Sequence, residues 1–155
     1  MSKKYIHYGS SAFCEKAFVP ITNLIGNKPL GGLWASLVDA ERGWYDWVKD
    51  NEFYPKRLEL SFKFELSQSA RVLELTPDNV WELPLQKNVP EWVIENNLRR
   101  GLGMVTGVDF EALAQEYDVL SCSLTENPSL YWSLYGWDCD CVLVLNPDVV
   151  VEVKE

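Results

Sequence analysis

Three short segments hold the residues whose types could do chemistry: His7-Tyr8-Gly9-Ser10, Gly31-Gly32-Leu33-Trp34-Ala35-Ser36, and Tyr135-Gly136-Trp137-Asp138-Cys139-Asp140. Each sets polar or aromatic groups at an expected strand end. His7 is the only histidine, so the usual hydrolytic triads are not expected. Asp138 and Asp140 form a DxD pair. On a strand both carboxylates would share one face and could hold a metal-bridged diphosphate, as in nucleotide-sugar glycosyltransferases. That pattern is short and common, and the chain lacks the alternating strand–helix units such an enzyme's sheet needs. Cys14, Cys122, Cys139 and Cys141 contain no CxxC pair and read as buried thiols, so no metal site is expected. Gly101, Gly103 and Gly107 miss the dinucleotide-binding spacing and follow no strand, which makes them a loop.

Plainer roles stand beside these. A single histidine on a strand commonly serves as a hydrogen-bonded structural residue. Trp34, Trp44 and Trp47 could be core aromatics, since Trp44 and Trp47 are three apart on a helix and share a face. Tyr131, Trp132, Tyr135 and Trp137 are expected to pack under the sheet.

The elements that must position these residues follow from pattern. Lys4 to Tyr8 reads as a first strand, ended by Gly9-Ser10-Ser11. A loop with Pro20, Gly26, Pro29, Gly31 and Gly32 follows, and long irregular segments of this kind often line binding sites. Asp39 reads as the N-cap of a helix from about Ala40 to Lys49. Strict alternation from Leu58 to Leu66 predicts a half-buried strand, and Ala70 to Leu75 a second. Thr76-Pro77 starts a brief helix, and Pro90 to Leu98 another. Asp109 to Tyr117 is helical by its i, i+3, i+4 apolar spacing, Asp118 to Leu124 is a strand, and Asn127-Pro128 opens a helix to about Leu134. The apolar run Cys141 to Leu145 is a strand covered on both faces, and Asn146-Pro147-Asp148 turns into the last strand. This order predicts an α+β fold with a mixed β-sheet core and flanking helices, in one domain over 1–155.

Composition sets outer limits. At 155 residues the chain can bury a core without disulfides or metal, and an apolar fraction of 47% with 24% charged residues is ordinary globular usage. A net charge of −9 opposes extended nucleic-acid binding, though a few local cations could still serve a diphosphate. Met1-Ser2-Lys3-Lys4 leads into only a short apolar stretch, so no signal peptide or membrane span is expected, and the expected compartment is the cytoplasm.

Taken together, the three segments resemble the site of the ADP-ribosyltransferase fold, in its diphtheria-toxin and poly(ADP-ribose) polymerase branch. There a histidine followed by glycine and serine or threonine ends the first strand, a Gly-x-Tyr-Phe-Ala/Ser segment follows, and a glutamate opens a strand running into an Asp/Asn turn. Here Gly32-Leu33-Trp34-Ala35-Ser36 is similar to the second segment, and Asp140 to Asn146-Pro147 is similar to the third. The resemblance implies NAD as the cofactor and transfer of ADP-ribose to a macromolecular acceptor, expected to be a protein. It also implies a toxin-like role in a phage or bacterial setting. By that resemblance His7 or Tyr8 positions the cofactor, Gly9 holds the carboxamide and Ser10 the ribose. Trp34 and Tyr45 sandwich the nicotinamide ring, Ser36 completes the second segment, and Asp140, or else Asp138, stabilises the charge developing as nicotinamide leaves. Two departures stand: aspartate replaces glutamate, and Tyr8 separates His7 from Gly9. They open the alternative of an eroded, binding-only member recognising a protein or nucleotide.

Overall fold

The computed structural model describes residues 2–100 and 103–154, so Met1, Gly101, Leu102 and Glu155 lie outside it. Seven strands form one mixed sheet: β1 Lys4–Tyr8, β2 Leu33–Leu37, β3 Ser61–Leu66, β4 Val72–Glu74, β5 Val119–Cys122, β6 Cys141–Val144 and β7 Val150–Val153. Their spatial order is β4-β5-β6-β2-β1-β3-β7. Only β4 and β5 run parallel, and every other neighbouring pair is antiparallel. With helices α1 Trp44–Asn51, α2 Glu91–Leu98, α3 Phe110–Glu116 and α4 Leu130–Ser133, the architecture is α+β.

Side-chain alternation builds two apolar clusters on this sheet. One gathers Leu120, Cys122, Leu143 and Leu145 with Phe110 and Leu113 of α3, Leu130 of α4, and Trp137. The other gathers Tyr5, Ala35, Phe62, Phe64, Val119, Val142 and Val144. All four residues of β6 are buried, as a strand covered on both faces requires. Among the described residues no helix is long and apolar enough to cross a membrane.

The sheet forks at its centre. β1 pairs with β2 only at Tyr5–Leu37 and Ile6–Ser36. Beyond that point β1 stays on β3 as far as Tyr8–Ser61, while β2 stays on β6 as far as Leu33–Val144. The outer ends of β1 and β2 therefore diverge, and a cleft opens between them.

Several elements differ from expectation. The central strand β2 falls where a loop was expected to end, because its five residues are nearly all apolar and show no alternation. α1 begins at Trp44 rather than near Ala40, and Asp39 does not cap it. Its first N–H is met from outside, by Ser36 Oγ at 2.9 Å. The strand expected from Leu58 begins at Ser61, since Pro55–Glu59 is wound into a 3-10 turn. Tyr131, Trp132 and Tyr135 do not pack under the sheet. They are 41%, 69% and 55% exposed, and only Trp137 of that group is buried. Of the glycine loop, Gly101 lies outside the described residues, and Gly107 takes a left-handed conformation with φ 68°.

Candidate functional site

The fork between β1 and β2 is lined by Ile6, His7 and Tyr8 from β1 and Trp34 and Ala35 from β2. Trp44 of α1, Lys28, Arg57 and the segment carrying Gly136, Trp137, Cys139 and Cys141 close the remaining walls. The cleft has a volume of about 210 Å³ and joins a basin of about 460 Å³ bordered by His7, Tyr8, Gly9, Lys56, Arg57 and Leu60. An apolar groove lined by Ser10, Phe13, Leu30, Gly31 and Gly32 meets the same His7 and Trp34 from the other side.

His7 is fixed in place. Its Nδ1–H donates to the Trp34 carbonyl oxygen at 2.7 Å, and its ring lies 5.2 Å from that of Phe62. Burial lowers its pKa, the bond to Trp34 opposes that shift, and the nearby Arg57 guanidinium adds to it. The imidazole is therefore neutral at pH 7, with its proton on Nδ1. Burial raises the Tyr8 phenol, so it keeps its proton. Hydrogen bonding with Cys139, followed by burial, pushes the Cys141 thiol well up, and burial pushes the Cys122 thiol up to about 12. These two thiols are protonated and poor nucleophiles.

Aromatic surface dominates the walls. Trp34 meets Trp137 edge to face at 4.8 Å, and Trp137 is pinned by its Nε1–H donating to the Asn27 carbonyl at 2.7 Å. Trp44 stacks on Trp47 at 5.2 Å, as their shared helix face requires. The Lys28 ammonium sits 5.5 Å from the Trp34 ring centre. Among the described residues, those lining the cleft include two basic side chains, Lys28 and Arg57, and no carboxylate. In a chain of net charge −9 the lining itself is basic, while the Asp46 charge acts on Tyr8 from outside it. The cleft can stack a flat ring and attract an anion.

The residues singled out from sequence are divided among several places. His7, Tyr8 and Trp34 share the cleft, and both β1 residues border it because the strand ends there, at the fork. Gly9 lines the adjoining basin and Ser10 the apolar groove. Tyr45 lies outside the cleft lining. Its ring touches Tyr8 at 5.9 Å, and its neighbour Trp44 takes the inward position, because successive helix residues point about 100° apart. Ser36 is 2% exposed and ties three elements together, donating to the Asp140 carbonyl at 2.8 Å while accepting from Trp44 N–H.

Asp140 stands apart from His7. Its carboxylate accepts from Thr125 N–H at 3.0 Å and from Thr125 Oγ at 2.6 Å, and it lines a separate groove with Lys3, Glu41 and Ser123. The carboxylate is held there by Thr125, in the bend that leads into β6, while Cys139 and Cys141 line the cleft. Asp138 does not line the cleft either. Sequence reasoning missed Lys28 and Arg57. Lys28 sits in a loop before Pro29 and Arg57 in the 3-10 turn Pro55–Glu59, and nothing local marks either as a partner of Trp34 and His7.

No family model, curated protein or solved structure matches the chain.

Proposed function

We propose that this chain is a binding module for a nucleotide of the NAD type, held in the fork between β1 and β2. One observation carries the reading: the cleft combines aromatic faces with Lys28 and Arg57 and lacks a carboxylate, on a protein whose net charge is −9. A flat base or nicotinamide ring gains stacking and cation–π energy against Trp34, Trp44 and Trp137. A diphosphate would meet Arg57 and Lys56 in the adjoining basin, where charge-assisted hydrogen bonds form. His7 would offer its unprotonated Nε2 to a ribose hydroxyl.

These residues fit the ring and the phosphates of NAD. They do not supply the carboxylate that departure of nicotinamide calls for, since the Asp140 side chain is committed to Thr125. This favours the eroded, binding-only form of an ADP-ribosyltransferase-like site. Transfer of ADP-ribose is the second reading, supported by the arrival of all three resembling segments on adjacent strands β1, β2 and β6.

Thermal-shift titration with NAD and with ADP, run beside an assay of nicotinamide release, separates the readings. A rise in melting temperature with ligand concentration and no released nicotinamide is expected. Turnover by the wild-type protein would establish the second reading, and no shift at millimolar NAD or ADP would remove both.

A further inference from the structure

Three aromatic side chains stand in water on α4 and its exit: Tyr131, Trp132 and Tyr135. They are not scattered. The Tyr131 ring meets Trp132 at 5.0 Å and Tyr135 at 6.0 Å, both edge to face. No room exists for them inside. Leu130 and Leu134 already fill the inward side of α4 at 0% and 2% exposure, and Val105 N–H closes on the Ser133 carbonyl at 2.8 Å. Isolated exposed apolar residues are ordinary, whereas a contiguous aromatic patch marks an interaction surface.

Charge selects the partner. The chain carries net −9, Glu126 leads into α4 and Asp138 follows Trp137. The nearby cation, Lys28, is directed over Trp34. Aromatic faces carry negative potential and attract cations, and a guanidinium both stacks on a ring and forks onto a carboxylate. A polyanion would be repelled by the chain's overall field. We infer that Tyr131, Trp132 and Tyr135 form a docking surface for an arginine-bearing segment of another protein. The surface lies outside the cleft lining and is independent of what the cleft holds.

Fluorescence anisotropy with a labelled peptide of alternating arginine and serine tests this. Lysine-for-arginine and glutamate-for-arginine versions and a single-stranded oligothymidine serve as comparisons. The arginine peptide should bind saturably, the lysine version several-fold more weakly, and the acidic peptide and oligothymidine not at all. Trp132→Ala with Tyr135→Ala should weaken arginine-peptide binding at least about tenfold, in the range of interface hot spots, with little change in melting temperature. Should the double variant fail to fold, Trp132→Ser alone is expected to show the same loss. Undiminished binding by a folded variant would overturn the inference. So would equal binding of the acidic peptide or the oligonucleotide. Self-association of the wild-type protein that the double variant abolishes would assign the surface to a second copy of the chain instead.

Discussion

His7 donates its Nδ1–H to the carbonyl oxygen of Trp34 across 2.7 Å, at the point where the β1–β2 ladder stops. A side chain thus replaces backbone pairing and holds the mouth of the fork open. Ring and carbonyl then present both strands to one cleft, and the imidazole stays neutral because its charged form would be desolvated beside Arg57.

The first prediction concerns that neutrality. The folded-state pKa of His7 lies below 6.5, so the unfolded chain binds the proton more tightly. The contribution of His7 to stability is therefore complete above about pH 6.5 and lost as pH falls from there through the lower folded value. NMR titration of the imidazole should give a midpoint below 6.5, and His7→Gln should remove that part of the pH dependence of the melting temperature. A midpoint above 6.5 would contradict the geometry.

A second acid-sensitive tie joins β4 to β5. The Asp118 carboxylate accepts from the Arg71 backbone N–H at 2.8 Å, from its guanidinium at 3.1 and 3.2 Å, and from Asn146 Nδ2 at 3.1 Å. The Arg71 side chain is the main cause that brings its pKa down to about 2. Its contribution is present above the ordinary carboxylate value near 4 and is lost as pH falls from there towards 2. Asp118→Asn should lower the melting temperature by about 5 °C at pH 7 and flatten the decline below pH 4, read by circular dichroism.

Much of the frame was legible because local pattern governed it. β1 matches the expected Lys4 to Tyr8, and Asp109 caps α3 by accepting from Ala112 N–H at 3.0 Å. Thr76 and Asn79 exchange hydrogen bonds at the turn that Thr76-Pro77 announced. What local pattern could not show was set from a distance. The start of α1 depends on Ser36, eight residues earlier on β2. Of the cations of the cleft, Lys28 comes from a loop and Arg57 from a 3-10 turn, and the orientation of Asp140 depends on Thr125, 15 residues earlier. The exposure of Trp132 follows from Leu130 and Leu134 having filled the inward side, a competition that composition does not reveal.

Asp140→Ala tests that orientation. Loss of two bonds to Thr125 should destabilise the protein by about 1–2 kcal/mol in chemical denaturation. Affinity for NAD should stay within about twofold of wild type, because the side chain does not line the cleft. A large fall in NAD affinity with stability intact would place Asp140 in the site after all.

Gly32 controls the approach of β2 to β6. It has φ 76°, and an added Cβ would lie 2.5 Å from Leu143 Cδ1 and 3.0 Å from the Val144 carbonyl oxygen. Gly32→Ala should cost about 2–3 kcal/mol through left-handed strain and overpacking together. Gly26, whose Cβ would meet nothing within 4 Å, should accept alanine with little change in the same unfolding experiment.

Isothermal titration of NAD into the wild-type protein and Arg57→Ala probes the nucleotide site most directly. Arg57 is exposed at the rim of the cleft and its basin, so the variant should keep its melting temperature. Saturable binding by wild type, weakened at least about tenfold in the variant, is the expected result for a lost charge-assisted phosphate contact. Equal affinity in the two proteins, or no saturable binding by the wild type, would contradict a nucleotide held between Trp34 and Arg57.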